Sequence, residues 1–132
     1  MTLYQFYKII FFIFSLYVLQ ARTLETALGI CNLEIFDQKN RIELIEETII
    51  TYAHEVNNKF ISTKPKPYSI YIAVDLEDFY KKAHGPVPEW GIAITKRNPN
   101  RIIMQSPTTA KISFNKLLQI LIHELNHVYL NN

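Results

Sequence analysis

The chain has 132 residues, of which 48% are hydrophobic and 13% aromatic, so it is not an intrinsically disordered protein and can form one small domain with a modest core. Its formal net charge is +2, with basic and acidic residues interleaved. No basic stripe can therefore hold a phosphate backbone, and we expect no nucleic-acid partner. The only cysteine, Cys31, excludes an intrachain disulfide framework and a cysteine-rich metal site.

The first 21 residues have the pattern of a targeting segment. Lys8 precedes an apolar run at 9–19, and Ala21 is a small residue at its exit. This run suits a secretory signal peptide and is short for a membrane span, which needs about 20 apolar residues. We expect residues 1–21 to be a signal peptide or an uncleaved anchor. The rest of the chain is then secreted or periplasmic, and membrane-anchored only if the segment is not cleaved.

Residues 22–62 are predicted to form an N-terminal helical region. The stretch 22–36 is mixed, and we place the start of a helix there without a clear phase. The stretch 40–60 is clearer, because its apolar side chains recur at steps of three and four, the pattern of one helical face. These positions are Ile42, Ile45, Ile49, Tyr52, Ala53, Val56 and Phe60.

A linker and an αβ segment follow the long helix. The two prolines within residues 63–67 break the helix. Alternating apolar side chains then predict a strand at 68–74. Asp75 is placed to cap a short helix that ends near Ala83.

The last third of the chain predicts a hairpin and a helix. Strand-like runs at 91–95 and 101–105 flank a five-residue turn. Ser113 is a suitable cap for a helix at 114–130, whose first half is apolar nearly all round, so we expect the helix to be buried. The sequence therefore predicts an α+β fold, with a small antiparallel sheet or hairpin packed against a buried C-terminal helix.

That helix contains the motif His123-Glu124-Leu125-Asn126-His127. Residues four apart on a helix are neighbours, so both imidazoles can bind one ion. Zinc accepts histidine nitrogen and keeps a water when catalytic. A carboxylate next to the first ligand can accept the proton of that water. The motif predicts a Zn²⁺ site with His123 and His127 as metal ligands and Glu124 as catalytic base.

A family resemblance extends beyond the motif. It rests on residues 88–93, on the strand-like run ending in Ser-Pro at 101–107, and on the apolar helix with its motif at 117–128. These segments resemble the bacterial peptidase MA-like domain, which belongs with the thermolysin-like gluzincins. The resemblance covers the chain from about residue 68 to the C-terminus.

The resemblance implies a zinc metallopeptidase that hydrolyses a peptide or protein substrate outside the cytoplasm. It also implies that an extended substrate pairs with the strand 101–105. Gluzincins take a third ligand, a glutamate, from a helix well downstream, and only residues 128–132 follow the second histidine. We therefore expect residues 63–132 to be a partial zincin-like catalytic domain, truncated before that ligand and inactive without it.

The sequence is also compatible with two other hypotheses. The domain is a non-catalytic remnant that binds a peptide or partner with the same fold, or the motif arose by chance in a small structural protein. Two further histidines are not assigned to the metal. His54 precedes Glu55, but Asn58 stands where the second ligand is needed, and His84 lies at a helix end, where a cation suits the dipole.

Overall fold

The computed structural model describes residues 2–8, 19–36, 41–60, 64–87 and 91–130, and the fold is α+β, as predicted. Residues 3–8 are helical. The strands are β1 (Leu19–Thr26), β2 (Gly29–Phe36), β3 (Tyr68–Ala73), β4 (Ala93–Lys96) and β5 (Asn100–Gln105). The helices that follow residue 40 are α1 (Ile42–Lys59), α2 (Leu76–Ala83), α3 (Pro107–Ala110) and α4 (Phe114–Leu130).

The strands form one mixed sheet in the order β1-β2-β3-β5-β4. Two antiparallel hairpins, β1–β2 and β4–β5, lie at its edges. The central pairings, β2–β3 and β3–β5, are parallel. Parallel neighbours need crossover connections, and α1 and α2 supply them. The sheet is therefore larger than the predicted hairpin, and β5 lies inside it.

Side-chain alternation along the strands divides the core between two faces of the sheet. On β3, Ile70 and Ile72 belong to the main core with α1 and α4. Ala73 faces the other way and packs with Phe79 of α2 and Ile103. Because successive residues of a strand point to opposite faces, α1 and α4 share one face and α2 covers part of the other.

The elements with strong periodicity lie where they were predicted. The helix expected at 40–60 is α1, although position 40 lies outside the described residues. Asp75 caps α2 by accepting a hydrogen bond from the Asp78 backbone N at 2.8 Å. The predicted hairpin is β4–β5. The short helix α3 was not predicted; it begins with the proline of the Ser-Pro pair.

The prediction of a helical region over 22–62 is wrong for its first half. Residues 22–36 belong to the β1–β2 hairpin, and β2 buries every second side chain, including Cys31, Leu33 and Ile35. The boundary drawn at 62–63 does not separate two units either, because β2 pairs with β3 across it. In β1 the alternation is weak, because Leu24 is its only buried side chain, whereas the alternation of β2 is present in the sequence and was missed.

Most of the predicted targeting segment lies outside the described residues, which include only 2–8 and 19–21 of it. Residues 19–21 are the start of β1, where Ala21 pairs with Glu34. Cleavage after Ala21 would therefore remove three residues of this edge strand. Within the ranges that the structure describes, no helix has both the length and the apolar character needed to cross a membrane.

A buried cluster of ionisable side chains joins the sheet to α4. The hydroxyls of Tyr68 and Tyr129 are hydrogen-bonded to each other, and their rings meet edge to face with centroids 5.3 Å apart. Burial raises the pKa of both phenols. Burial likewise raises the pKa of the Cys31 thiol from 9.0 to about 12, against a smaller opposing effect of its hydrogen bond with Tyr68.

Alkaline pH is expected to destabilise the protein through this cluster. A thiol whose folded pKa is raised favours folding fully below its unfolded pKa of 9.0, and that contribution is lost as the pH rises towards about 12. The two tyrosines act in the same direction. Urea denaturation should therefore give a midpoint that falls between about pH 9 and pH 11, and less steeply in Cys31→Ala. A midpoint that stays constant over this range would contradict the conclusion that the thiol and the two phenols are buried in their neutral forms.

The turn between β1 and β2 requires a glycine. Gly29 has φ +122°, and a Cβ there would overlap the Lys66 carbonyl oxygen and lie 2.7 Å from its carbonyl carbon. Gly85 is a matched control, because it has φ +147° and a Cβ there would meet nothing within 4 Å.

Gly29→Ala should therefore cost more than about 2 kcal/mol of unfolding free energy, because steric overlap adds to backbone strain. Gly85→Ala should cost about 1–2 kcal/mol, from strain alone. Chemical denaturation of both variants measures the difference. Equal losses would show that the contact with Lys66 is relieved without cost.

Candidate metal centre

The orientation of α4 decides where the motif lies. Ser113 begins the helix by accepting a hydrogen bond from the Lys116 backbone N at 3.1 Å, as predicted. One stripe of α4 is buried in the core, and it comprises Leu117, Leu121, Glu124, Leu125, Val128 and Tyr129. The expectation of a wholly buried helix is wrong, since His123 and His127 are exposed. The apolar residues 118, 120 and 122 flank the stripe and are only half-buried.

The exposed position of the histidines does not by itself call for a metal. Two imidazoles in an apolar core would be costly without partners, but exposed imidazoles are hydrated. The case for a metal therefore depends on the geometry of the pair.

The two imidazoles lie close together on the exposed face of α4. The Nε2 atoms of His123 and His127 are 3.3 Å apart, and the ring planes meet at 83° with centroids 4.9 Å apart. Two nitrogens at about 2.0–2.1 Å from one tetrahedral zinc are roughly 3.3–3.4 Å apart. The pair thus has the separation that a shared zinc ion requires. The same separation also suits an N–H···N hydrogen bond between neutral rings.

Glu124 lies between α4 and the edge strand β4. It is buried, with 9% of its surface exposed, and its Oε2 accepts a hydrogen bond from Thr95 Oγ1 at 2.5 Å. This is the short distance typical of a hydroxyl bound to a carboxylate. Glu124 precedes His127 by three residues and is thus its neighbour on the helix surface. The carboxylate is held between α4 and β4 by a donor from the strand.

A second contact anchors the middle of the motif. The Tyr52 hydroxyl of α1 donates a hydrogen bond to Asn126 Oδ1 of α4. Sequence reasoning assigned Tyr52 only to the apolar face of α1 and gave Thr95 no role. No signal in the sequence identifies either contact, because the partners are 74 and 29 residues apart along the chain.

No third ligand joins the pair within the described residues, where no group of three His, Cys, Asp or Glu side chains could hold a metal ion. His54 is exposed on α1, with its Nε2 3.3 Å from Asn58 Nδ2, as expected for a surface histidine. His84 ends α2 with φ 44°, and its carbonyl oxygen accepts a hydrogen bond from Lys96 Nζ at 3.1 Å.

The strand predicted to pair with a substrate is already paired on both sides. Residues 101–105 lie in β5, which bonds to β3 along one edge and to β4 along the other. The prediction of strand addition at 101–105 is therefore wrong. Among the described strands, β4 ends the sheet on the side nearest the motif, and it contacts α4 through Thr95.

Comparison with known proteins found no family model that matches the chain and no curated protein or solved structure that is significantly similar to it.

The Thr95–Glu124 contact should contribute measurably to stability. Thr95→Val keeps the side-chain shape but leaves a buried carboxylate without this donor, so we expect a loss of about 1–3 kcal/mol in unfolding free energy. Thr95→Ser keeps the hydroxyl and is the matched control. Urea denaturation at neutral pH compares the two variants. Equal stabilities would mean that Glu124 gains as much from water as from Thr95.

Proposed function

We propose that this protein is a zinc-dependent metallopeptidase in which His123 and His127 bind the metal and Glu124 acts as the general base. The observation that carries the proposal is the 3.3 Å separation of the two Nε2 atoms. It matches two ligands of one tetrahedral zinc ion. The motif spacing and the resemblance to the peptidase MA-like domain point to the same chemistry.

The two histidines offer the type of ligand atom that zinc prefers. Imidazole nitrogen is a common zinc ligand, and the exposure of both rings gives an ion a direct route from solvent. Catalytic zinc sites have three protein ligands, so the proposal includes a third ligand besides this pair. The gluzincin resemblance implies a glutamate in that role.

Zinc, when bound, would act as a Lewis acid and lower the pKa of the water that it binds to about 7. Glu124 is the proton carrier of this chain. Its carboxylate accepts the proton of the attacking water and then passes it to the nitrogen of the leaving amine. The hydrogen bond from Thr95 holds Oε2 in place for this role, and Glu124 keeps its second oxygen for the reaction.

The proposed substrate is an extended peptide that adds to the outer edge of β4. An edge strand presents unpaired backbone groups that a peptide can meet by strand addition. Thr95 belongs to this strand and contacts Glu124, so a peptide bound along residues 93–96 lies close to the base. The outer edge of β4 thus takes the substrate-pairing role expected for residues 101–105, because β5 is paired along both of its edges.

The proposed place of action is outside the cytoplasm. The reason for this proposal is the signal-like pattern of Lys8 and the apolar run at 9–19. The protein is then secreted or periplasmic, and attached to a membrane if the segment is retained.

Zinc binding is the first test of the proposal. His123→Ala and His127→Ala should each weaken zinc binding at least tenfold in isothermal titration calorimetry, because each removes one of the two proposed ligands. Stability without zinc should change little, since both side chains are exposed. His54→Ala is the control, because it removes an exposed helical histidine that lies outside the pair.

The proposal fails if zinc affinity is unchanged in both motif variants, or falls equally in His54→Ala. The first result would leave the 3.3 Å contact as a hydrogen bond between two surface histidines.

Peptide hydrolysis separates the enzyme from a non-catalytic, peptide-binding remnant of the same fold. In the enzyme, Glu124→Gln keeps zinc but lowers the rate by about 10²–10⁴-fold, because the amide cannot take the proton. In the non-catalytic remnant, zinc or peptide binds, but the protein hydrolyses no peptide and Glu124→Gln changes no rate. The outer edge of β4, with which no described strand pairs, is the observation that favours this second candidate.

A further inference from the structure

The face of the sheet away from α4 carries a polar row that the proposed peptidase does not use. Strand register places Asn32 opposite Ser69, and Ser69 opposite Arg101. These side chains lie on the same face as Tyr71 and Ala73, because they alternate with the core residues of their strands. α2 covers only the other end of this face, through Phe79.

A cavity of about 150 Å³ opens over this row. Its volume is several times the roughly 30 Å³ that a water molecule occupies in the liquid, so it has room for a small organic group. Tyr71 and Ile103 give it an apolar side. Lys82 reaches it from α2, with its Nζ 4.8 Å from the centroid of the Tyr71 ring, and Glu34 reaches it from β2.

Charges in this cavity are not neutralised in pairs. Arg101, Lys82 and Glu34 make no ion pair with any described residue. The Nε of Arg101 is buried and has no hydrogen-bond partner within the described ranges. A buried guanidinium nitrogen without an acceptor is costly, and this cost points to an acceptor supplied by a ligand.

We propose that this cavity binds a small monocarboxylate. The guanidinium of Arg101 matches a carboxylate through two parallel hydrogen bonds, and Ser69 and Asn32 add neutral polar groups beside it. Among the residues that line the cavity, two cations and one anion leave a net charge of +1, which balances one carboxylate. The carboxylate of Asp78, which accepts a hydrogen bond from the Tyr71 hydroxyl, further disfavours a doubly charged phosphate. The apolar side formed by Tyr71 and Ile103 suits a short carbon stem.

Butyrate is the probe, with inorganic phosphate compared at equal ionic strength. Titration of the 132-residue protein with butyrate, followed by amide signals in nuclear magnetic resonance, should give saturable shifts at Ser69, Tyr71 and Arg101. Arg101→Gln should weaken butyrate binding at least about tenfold, because it removes the charged fork. Arg97→Gln is the matched control, since Arg97 is exposed in the β4–β5 turn.

A second pair of variants keeps the test valid if Arg101→Gln does not fold. Lys82→Gln should weaken butyrate binding several-fold. Lys81→Gln should not, because Lys81 is equally exposed but does not line the cavity. The proposal is overturned by the absence of saturable shifts, by tighter binding of phosphate than of butyrate, or by equal losses in the variants and their controls. None of these readouts depends on zinc.

Discussion

The packing of α4 against the sheet is the constraint on which the rest of the site depends. Leu117, Leu121 and Leu125 are buried in the main core and fix the rotation of the helix about its axis. At 100° per residue, this rotation leaves positions 123 and 127 on the solvent side and turns position 124 towards β4. The geometry of the histidine pair is thus a consequence of core packing. Rotation of the helix by one position would expose the carboxylate in one direction and bury both histidines in the other.

Three hydrogen bonds make this rotation more specific than apolar packing alone. Tyr52 reaches Asn126 from α1, Thr95 reaches Glu124 from β4, and Tyr68 meets Tyr129 from β3. Apolar side chains of similar volume are tolerant of small shifts, whereas a buried hydrogen bond is lost when its partners move apart. The contacts lie on different sides of α4, so together they resist both rotation and sliding. A reactive group needs such support, because its effect depends on placement to within a fraction of an ångström.

Sequence reasoning located the elements whose signal is local. The period of α1, the cap of α2 and the turn of the β4–β5 hairpin each depend on residues close together in the chain, and the structure has all three. It failed for β1, because an edge strand with one buried side chain has no alternation to detect, and it also missed β2, although the alternation of Cys31, Leu33 and Ile35 is present in the sequence. It also failed for the burial of α4, since the apolar residues on its flanks hide which stripe faces the core. The pairing of β2 with β3, and the contact of Thr95 with Glu124, join distant segments and leave no trace in local patterns.

The pleat of the sheet keeps the two proposed sites apart. On β5, Ile102 and Met104 face the core beneath α4, whereas Arg101 and Ile103 face the cavity on the other side. On β4, Thr95 contacts the motif helix, and Lys96 donates to the carbonyl groups that end α2. Alternate residues of each strand therefore face opposite sides of the sheet, one towards α4 and the other away from it. The chemistry of one face does not require that of the other. Coupling between them could pass only through movement of the strand backbone, which is resisted by hydrogen bonds along both edges of β5. The metal site proposed at the helix and the anion site proposed at the sheet thus do not depend on each other, although one fold carries both.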